Sequence, residues 1–187
     1  FPDMLDQAYR HAVSGCPGPV HLQFQGNEGQ VDLGKADLDQ RSDMRFTKVP
    51  PFRPLGDPAD IEKALGILQQ ADKPVIIAGG GVRHSGAEAE LKRLAEGLNI
   101  PVATSLNGKD TFVATHPLSV GVVGTYSRES ANLVVGEADL VCFIGSKAGG
   151  MTTHFWQVPA QGVDAIQIDL EPSEIGRNYP LNAAVQG

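Results

Sequence analysis

A run of three glycines is the first feature of this sequence that could do chemistry. Gly79, Gly80 and Gly81 follow the apolar stretch Pro74–Ala78, and glycines that leave a buried strand let the backbone approach a phosphate or nucleotide closely. The dinucleotide spacing G-x-G-x-x-G is not met, because His84 stands where its third glycine would be. A nucleotide contact and a plain strand-to-helix turn both remain open.

A second candidate cluster follows the apolar stretch Leu140–Ile144. It opens with Gly145, and its Lys147 could pair with a phosphate or simply be solvated. Asp169 ends a later apolar stretch, where it could accept a hydrogen bond from a ribose hydroxyl or organise a turn. Because open α/β sheets bind ligands at the carboxyl ends of their strands, these residues and the glycine run form a candidate nucleotide site.

Signatures of catalysis and of metal binding are absent from the sequence. The five histidines and two cysteines show no metal-ligand spacing. No G-x-S-x-G, G-x-x-x-x-G-K-[ST] or H-E-x-x-H motif occurs. We therefore assign no catalytic residue and no metal ligand to this chain.

Composition and charge narrow the class of protein. A formal net charge of -7 argues against nucleic acid as a partner, since binding nucleic acid needs clustered Lys and Arg to neutralise phosphates. No apolar run approaches the ~20 residues of a membrane helix. With 41% hydrophobic and 20% charged residues, the sequence is typical of a globular protein, and its isolated cysteines favour the cytoplasm.

Elements before position 58 suggest the end of one folding unit and a linker. Helical periodicity predicts a helix over Met4–Val13, and alternation predicts a strand over Val20–Phe24. Periodicity then vanishes over Gln25–Asp57, which contains a proline-rich run. We predict a remnant of one domain over residues 1–25, a linker over 26–57 and a main domain over 58–187.

Helices and strands alternate regularly after the linker. Asp57 is placed to cap a helix that starts at Pro58, and Ser85 with Glu88 has the spacing of a capping box for another. The remaining predicted elements are a helix over Ser127–Gly136 and the strands Pro74–Ala78, Pro101–Thr104, Leu140–Ile144 and Ala165–Asp169. Such alternation needs crossover connections, which predicts an α/β fold: a doubly wound parallel sheet of about six strands with helices on both faces.

Ordered sequence phrases point to a family. Gly15–Leu22 is similar to the phrase G-x-P-G-P-V-x-L, and Lys73–Gly81 to K-P-x-I-x-x-G-x-G. Further phrases are T-x-x-x-G-K at Thr104–Lys109, H-P-L at His116–Leu118, A-D-L-x-x-x-x-G at Ala138–Gly145 and I-D-x-D-P-x-E-I-G at Ile168–Gly176. Together they resemble thiamine-diphosphate-dependent enzymes of the acetolactate synthase, benzoylformate decarboxylase and oxalyl-CoA decarboxylase type.

The resemblance implies that the main domain is the central, non-catalytic domain of such an enzyme, and that residues 1–25 end its pyrimidine-binding domain. That family holds thiamine diphosphate and magnesium with a glutamate and a G-D-G phrase from the other two domains, and neither is present here. The resemblance therefore implies a homo-oligomeric parent that acts on carbon-carbon bonds of 2-keto acids. The missing pyrimidine- and diphosphate-binding domains would be the partners of this chain, which would be inactive alone.

The resemblance also bears on a nucleotide. The central domain holds FAD in acetolactate synthases, ADP in oxalyl-CoA decarboxylases and nothing in several decarboxylases. The flavin phrases G-x-R-F-D-D-R and M-G-x-H are replaced here by Gly145–Met151 and Val123–Tyr126, which argues against FAD. An adenine nucleotide would be held by Gly79, Gly80, Gly81, Thr104, Ser105, Gly145, Lys147 and Asp169. An empty, purely architectural domain is the other possibility.

Two alternatives come from other nucleotide-binding folds. One is the FAD domain of an electron-transfer flavoprotein. The other is a sirtuin-like NAD-dependent deacylase, which would need a zinc-binding set of cysteines and a catalytic histidine. The isolated Cys16 and Cys142 argue against the second alternative.

Overall fold

A computed structural model of the chain describes residues 2–23 and 43–187. The chain divides into two compact units, Phe1–Arg53 and Pro54–Gly187. The second unit thus begins within the segment predicted as a linker, and the three-part division of the chain stays a prediction. Within the described ranges, no helix is both long and apolar enough to span a bilayer.

The first unit contains helix α1, Pro2–Val13, in agreement with the predicted helix Met4–Val13. It also contains a 3₁₀ helix, Met44–Thr47. The guanidinium of Arg10 lies 4.4 Å from the ring centroid of Phe46, a cation-π contact. This contact joins α1 to the 3₁₀ helix.

The predicted strand Val20–Phe24 is not formed over the part that can be described. Residues 20–23 have neither helical nor strand geometry, and Phe24 lies outside the described residues, as do residues 25–42 of the predicted linker. A strand is stable only when a neighbouring strand pairs with its backbone. No strand occurs among the described residues of the first unit, so the alternating pattern finds no partner there.

The second unit is built on one parallel sheet of six strands in the order β3-β2-β1-β4-β5-β6. The strands are β1, Pro74–Ala78; β2, Val102–Thr104; β3, Ser119–Val122; β4, Leu140–Ile144; β5, Asp164–Asp169; and β6, Ala183–Gln186. Every neighbouring pair is parallel. The strand order reverses between β1 and β4, which is the topological switch point of a doubly wound fold.

Successive side chains of each strand point to opposite faces of the sheet. Both faces are apolar, and helices cover both of them. The helices are α2, Pro58–Gln70; α3, Gly80–Ser85; α4, Glu88–Leu98; and α5, Glu129–Gly136. Ile76 and Ala78 pack into one core with Leu68 of α2 and Leu91 of α4. The other core contains Val75, Ile77, Ala131, Val135 and Tyr179. The predicted fold class is confirmed.

The predicted capping box at Ser85 and Glu88 is wrong. Ser85 is the last residue of α3, and its hydroxyl donates a hydrogen bond to Gly81 O at 2.9 Å. The left-handed Gly86, with φ of 64°, ends α3 there. Helix α4 begins after Ala87 without a side-chain cap. Ser85 and Glu88 have the spacing of a capping box, but they belong to two different helices: Ser85 ends α3 and Glu88 begins α4.

Two edge strands and one short helix went unpredicted. Strand β3 contains Gly121 with φ of 98°, and β6 begins with two alanines, residue types that have low strand propensity. Each forms because an established strand pairs with it, β2 in one case and β5 in the other. The short helix α3 begins within the glycine run itself.

Candidate functional site

All eight predicted site residues lie at the carboxyl edge of the sheet. The glycine run follows β1, Thr104 ends β2, Gly145 follows β4 and Asp169 ends β5. Backbone hydrogen bonds join these ends: Gly79 N donates to Ile144 O at 2.8 Å, and Gly145 N donates to Ile168 O at 2.8 Å. The site therefore spans the switch point, where ligands of open α/β sheets bind.

The glycine run packs against the loop that follows β4. Gly81 N donates to Gly145 O at 3.0 Å. A Cβ atom at Gly81 would lie 2.6 Å from Gly145 Cα, and one at Gly79 would overlap Gly145 O. Gly145 itself has φ of 57°, in the left-handed region that glycine adopts without strain. These glycines are thus required for the two loops to meet.

A tight turn follows the end of β2. Ser105 N donates to Ala78 O at 2.9 Å, which ties this turn to β1. The Ser105 hydroxyl accepts a hydrogen bond from Gly108 N at 3.0 Å, and Thr104 O accepts one from Val123 N at 3.0 Å. Both residues are buried, so their polar groups hold the loops that form one wall of the site.

Charged residues concentrate after β4 and β5. Burial raises the pKa of the Asp169 carboxyl, although the Glu171 amide and the charge of Lys147 act in the opposite direction. The Lys147 ammonium lies 3.5 Å from Glu174 Oε1, and the Arg177 guanidinium lies 3.0 Å from the same atom. The structure thus brings the predicted Lys147 and Asp169 into one electrostatic cluster and adds three charged residues to it.

Gln167 and Asn178 are polar residues of the site that sequence reasoning missed. The buried Gln167 amide donates to Ser146 O at 3.1 Å and to Glu174 O at 3.2 Å, and its oxygen accepts from Gly176 N at 2.9 Å. Asn178 Nδ2 donates to Lys147 O at 2.8 Å. The signal in the sequence for Gln167 is that it is an amide residue inside the apolar strand β5. A buried amide needs hydrogen-bond partners, so polar groups of neighbouring loops must lie close to it.

The polar groups at this edge of the sheet are hydrogen-bonding groups and the Lys147–Glu174–Arg177 ion-pair cluster. No cluster of three His, Cys, Asp or Glu side chains able to hold a metal occurs within residues 2–23 and 43–187. Cys142 belongs to β4 and faces the core, and burial raises the pKa of its thiol to about 12, which keeps it protonated and unreactive.

Comparison with known proteins agrees with this architecture. Residues 61–187 match the family model described as "Thiamine pyrophosphate enzyme, central domain". A probable acetolactate synthase large subunit from Methanocaldococcus jannaschii is 36% identical over 191 residues, covering 100% of this chain and 32% of the relative. An acetolactate synthase from Arthrospira platensis is 32% identical over 190 residues, covering 100% of this chain and 32% of the relative.

A glyoxylate carboligase from Escherichia coli O157:H7 is 33% identical over 177 residues, covering 94% of this chain and 29% of the relative. The chain therefore spans about a third of the length of the curated relatives it matches. The matched region contains the whole six-stranded sheet and the eight candidate site residues. This chain belongs to the thiamine pyrophosphate enzyme family and contains its central domain.

Proposed function

We propose that this chain supports, without catalysing, the reaction of a larger thiamine-diphosphate-dependent enzyme that forms or cleaves carbon-carbon bonds of 2-keto acids. The observation that carries the proposal is the match to the central domain of that family by a chain about a third as long as its relatives. The reactive groups of the parent, its thiamine diphosphate and its magnesium, would belong to the pyrimidine- and diphosphate-binding domains. The parent would be a cytoplasmic homo-oligomer.

The test of this role is enzymatic. Purified chain mixed with pyruvate, thiamine diphosphate and magnesium is expected to release no carbon dioxide above the rate without protein. The complete enzyme that contains this sequence serves as the positive control and is expected to consume the 2-keto acid. Turnover by the isolated chain would refute the proposal, as would a complete enzyme that works without thiamine diphosphate.

The proposal extends to an adenine nucleotide at the carboxyl edge of the sheet. The donor set fits such a ligand: Lys147 supplies a cation for phosphate, and the Asp169 carboxylate supplies an acceptor for ribose hydroxyls. Gly79, Gly81 and Gly145 bring the backbones of two loops together beside these groups. The base would lie along the wall made by Thr104 and Ser105.

Calorimetric titration with ADP tests this extension. We expect saturable binding that Lys147→Met weakens about tenfold, since a charge-assisted hydrogen bond to phosphate contributes ~1.5–3 kcal/mol. Lys63→Met on the exposed side of α2 is the matched control and should leave the affinity unchanged. Absence of heat with ADP would instead favour a purely architectural domain.

A further inference from the structure

An asparagine followed by a glycine lies in the turn after β2. Asn107 is exposed and Gly108 is buried, and no other asparagine of the sequence precedes a glycine. Asparagine is a thermolabile residue. It is most labile before glycine, because glycine has no side chain to keep its backbone nitrogen away from the asparagine amide. The dipeptide is therefore a candidate for spontaneous chemical modification.

The reaction in question is deamidation. The Gly108 backbone nitrogen loses its proton to water and attacks the side-chain Cγ of Asn107. The N–Cγ bond forms, the Cγ–Nδ2 bond breaks, and ammonia leaves after taking up a proton from water. Water then opens the resulting cyclic imide at either carbonyl and gives aspartate or isoaspartate, so that water is the only co-reactant.

Hydrogen bonds restrain the attacking nitrogen in the folded chain. Gly108 N donates to Ser105 Oγ at 3.0 Å and to Ser105 O at 3.1 Å. Ser105 is buried, and its own N donates to Ala78 O at 2.9 Å, so both acceptors are fixed to the end of β1. Acceptors that bind the neutral N–H disfavour the loss of its proton, and the attack requires the nitrogen to leave them.

Packing against β1 keeps the glycine in place. A Cβ at Gly108 would lie 2.7 Å from Ala78 O and 2.8 Å from Gly79 C. On the other side of the residue, Gly108 O accepts from Thr111 N at 2.9 Å and from Thr111 Oγ1 at 2.6 Å. A bulkier residue that would shield Asn107 cannot replace this glycine, so any protection of Asn107 must come from the folded turn.

The isoaspartate product does not fit this turn. It adds one methylene group to the backbone just before Gly108, because the chain then runs through the former side chain of Asn107. Gly108 has no free space toward Ala78 or Gly79 in which to take up the extra length. Its hydrogen bonds to Ser105 would be lost, and the contact of the turn with β1 would loosen.

We propose that Asn107 is a site of spontaneous deamidation, and that Ser105 slows the reaction in the folded chain by holding the N–H of Gly108. The modification damages the turn once it occurs, so the folded turn sets how fast the second unit ages. This inference is independent of any ligand and of the reaction of the parent enzyme.

The first test compares the native and the unfolded chain. Purified chain is kept in mildly alkaline buffer with or without urea, and mass spectrometry of its peptides follows each asparagine. Asn107 is expected to convert about tenfold faster or more in urea, where both hydrogen bonds to Gly108 N are lost. Asn99 is also exposed but precedes the branched Ile100, and it should stay intact. Equal rates for Asn107 in the two states, or for Asn107 and Asn99 in urea, would overturn the inference.

Two variants separate the restraint on Gly108 N from general loosening of the turn. Ser105→Ala removes the hydroxyl acceptor and should raise the native-state rate about threefold or more, the usual effect of one net hydrogen bond. Thr111→Val is the matched control, because it removes a side-chain hydrogen bond to Gly108 O instead. Each variant keeps the backbone hydrogen bond of its residue to Gly108. A folded Ser105→Ala chain that reacts no faster than the Thr111→Val chain would refute the role of Ser105.

The damage to the turn is tested on aged protein. Chain in which Asn107 has converted is expected to have a lower urea midpoint than fresh chain. The Asn107→Gln chain, aged in the same way, is the control, because glutamine would have to form a larger ring and reacts more slowly. Equal loss of stability in both aged chains would show that the change at Asn107 does not loosen the turn. If Ser105→Ala fails to fold, the comparison of native and urea-unfolded chain decides the inference.

Discussion

At the scale of single residues, backbone contacts govern the candidate site. Gly81 and Gly145 approach so closely that their Cα atoms leave no room for a side chain on either residue. Such a clash cannot be relieved by a rotamer change, because the obstructing atoms belong to the backbone. The position differs from an ordinary helical glycine such as Gly66, where an added Cβ would meet nothing within 4 Å.

Gly81→Ala should therefore lower the free energy of unfolding by ~2 kcal/mol or more, through displacement of the loop after β4. The matched control is Gly66→Ala within α2, which should raise it by ~0.5–1 kcal/mol because alanine loses less conformational entropy in a helix. Urea denaturation followed by circular dichroism measures both. Equal effects of the two substitutions would contradict the close contact.

A second residue-scale feature is a hydrogen bond between a histidine and a carboxylate. His116 Nε2 lies 3.1 Å from Glu96 Oε1, and Leu118 N donates to His116 Nδ1 at 3.2 Å. The hydrogen bond from His116 lowers the pKa of Glu96, with smaller help from Lys92. Because folding favours the ionised carboxylate, the stabilisation is present above the ordinary pKa of 4.5 and is lost as pH falls through the lower, folded-state value.

Glu96→Gln should thus reduce the urea midpoint near neutral pH, with a deficit against the unchanged chain that shrinks as the pH falls below about 4.5. Glu90→Gln is the matched control, because Glu90 lies on the same helix and pairs with Arg93 rather than with His116. Midpoints at a series of pH values provide the measurement. A deficit that is independent of pH would contradict the assigned role of the carboxylate.

At the scale of elements, local capping explains some boundaries and fails at others. Asp57 has extended backbone geometry, and its side chain accepts a hydrogen bond from Ala59 N at 2.8 Å. Pro58 follows at the first helical position, so the predicted start of α2 is correct. Ser85, in contrast, ends a helix that sequence reasoning had not separated from α4. A capping motif identifies a helix end reliably only where no second helix adjoins it.

Asp57→Ala is expected to destabilise the second unit by ~1 kcal/mol, the usual effect of losing an N-cap side chain. Asp57→Asn is the matched variant: its amide oxygen can still accept from Ala59 N, so it should stay within ~0.5 kcal/mol of the original. Thermal unfolding measures the difference. A charge effect alone would instead make the two variants equally unstable.

At the scale of the whole second unit, one tyrosine joins two long connections. Tyr179 lies between β5 and β6, and its hydroxyl donates to Pro159 O, in the crossover from β4 to β5, at 3.0 Å. Its ring packs against Phe143 of β4, with centroids 5.3 Å apart. The crossover has turns in place of a regular helix, so this contact helps to hold it on the sheet.

Tyr179→Phe should therefore lower the free energy of unfolding by ~1 kcal/mol, the usual loss for one buried hydrogen bond. Burial also raises the pKa of this phenol above 10.0. Folding thus favours the protonated form, and its contribution is present below pH 10.0 and lost as pH rises above it. Tyr126→Phe, at an exposed position, is the control and should change little. Urea denaturation at pH 7 and under alkaline conditions distinguishes the Tyr179→Phe variant from the Tyr126→Phe control.

Much of the fold of the second unit follows from sequence patterns. Pro74–Ala78 and Leu140–Ile144 were predicted with the bounds that the structure has, because continuous apolar runs mark strands covered on both faces. The short strands β3 and β6 were missed, because their residues are small and they form only beside a neighbour. Residues 20–23 show the converse, since their alternating pattern is not accompanied by a strand among the described residues.

The sequence by itself determined the types of the long elements, the parallel architecture and the family, because hydrophobic periodicity, glycine position and ordered phrases are local properties of the chain. Only the tertiary structure decided that Gly79 and Gly81 pack on Gly145, that Gln167 joins the loops around Lys147, and that Tyr179 bonds to Pro159. Packing between distant segments and left-handed backbone angles arise from how completed elements meet, and residue spacing does not encode that geometry.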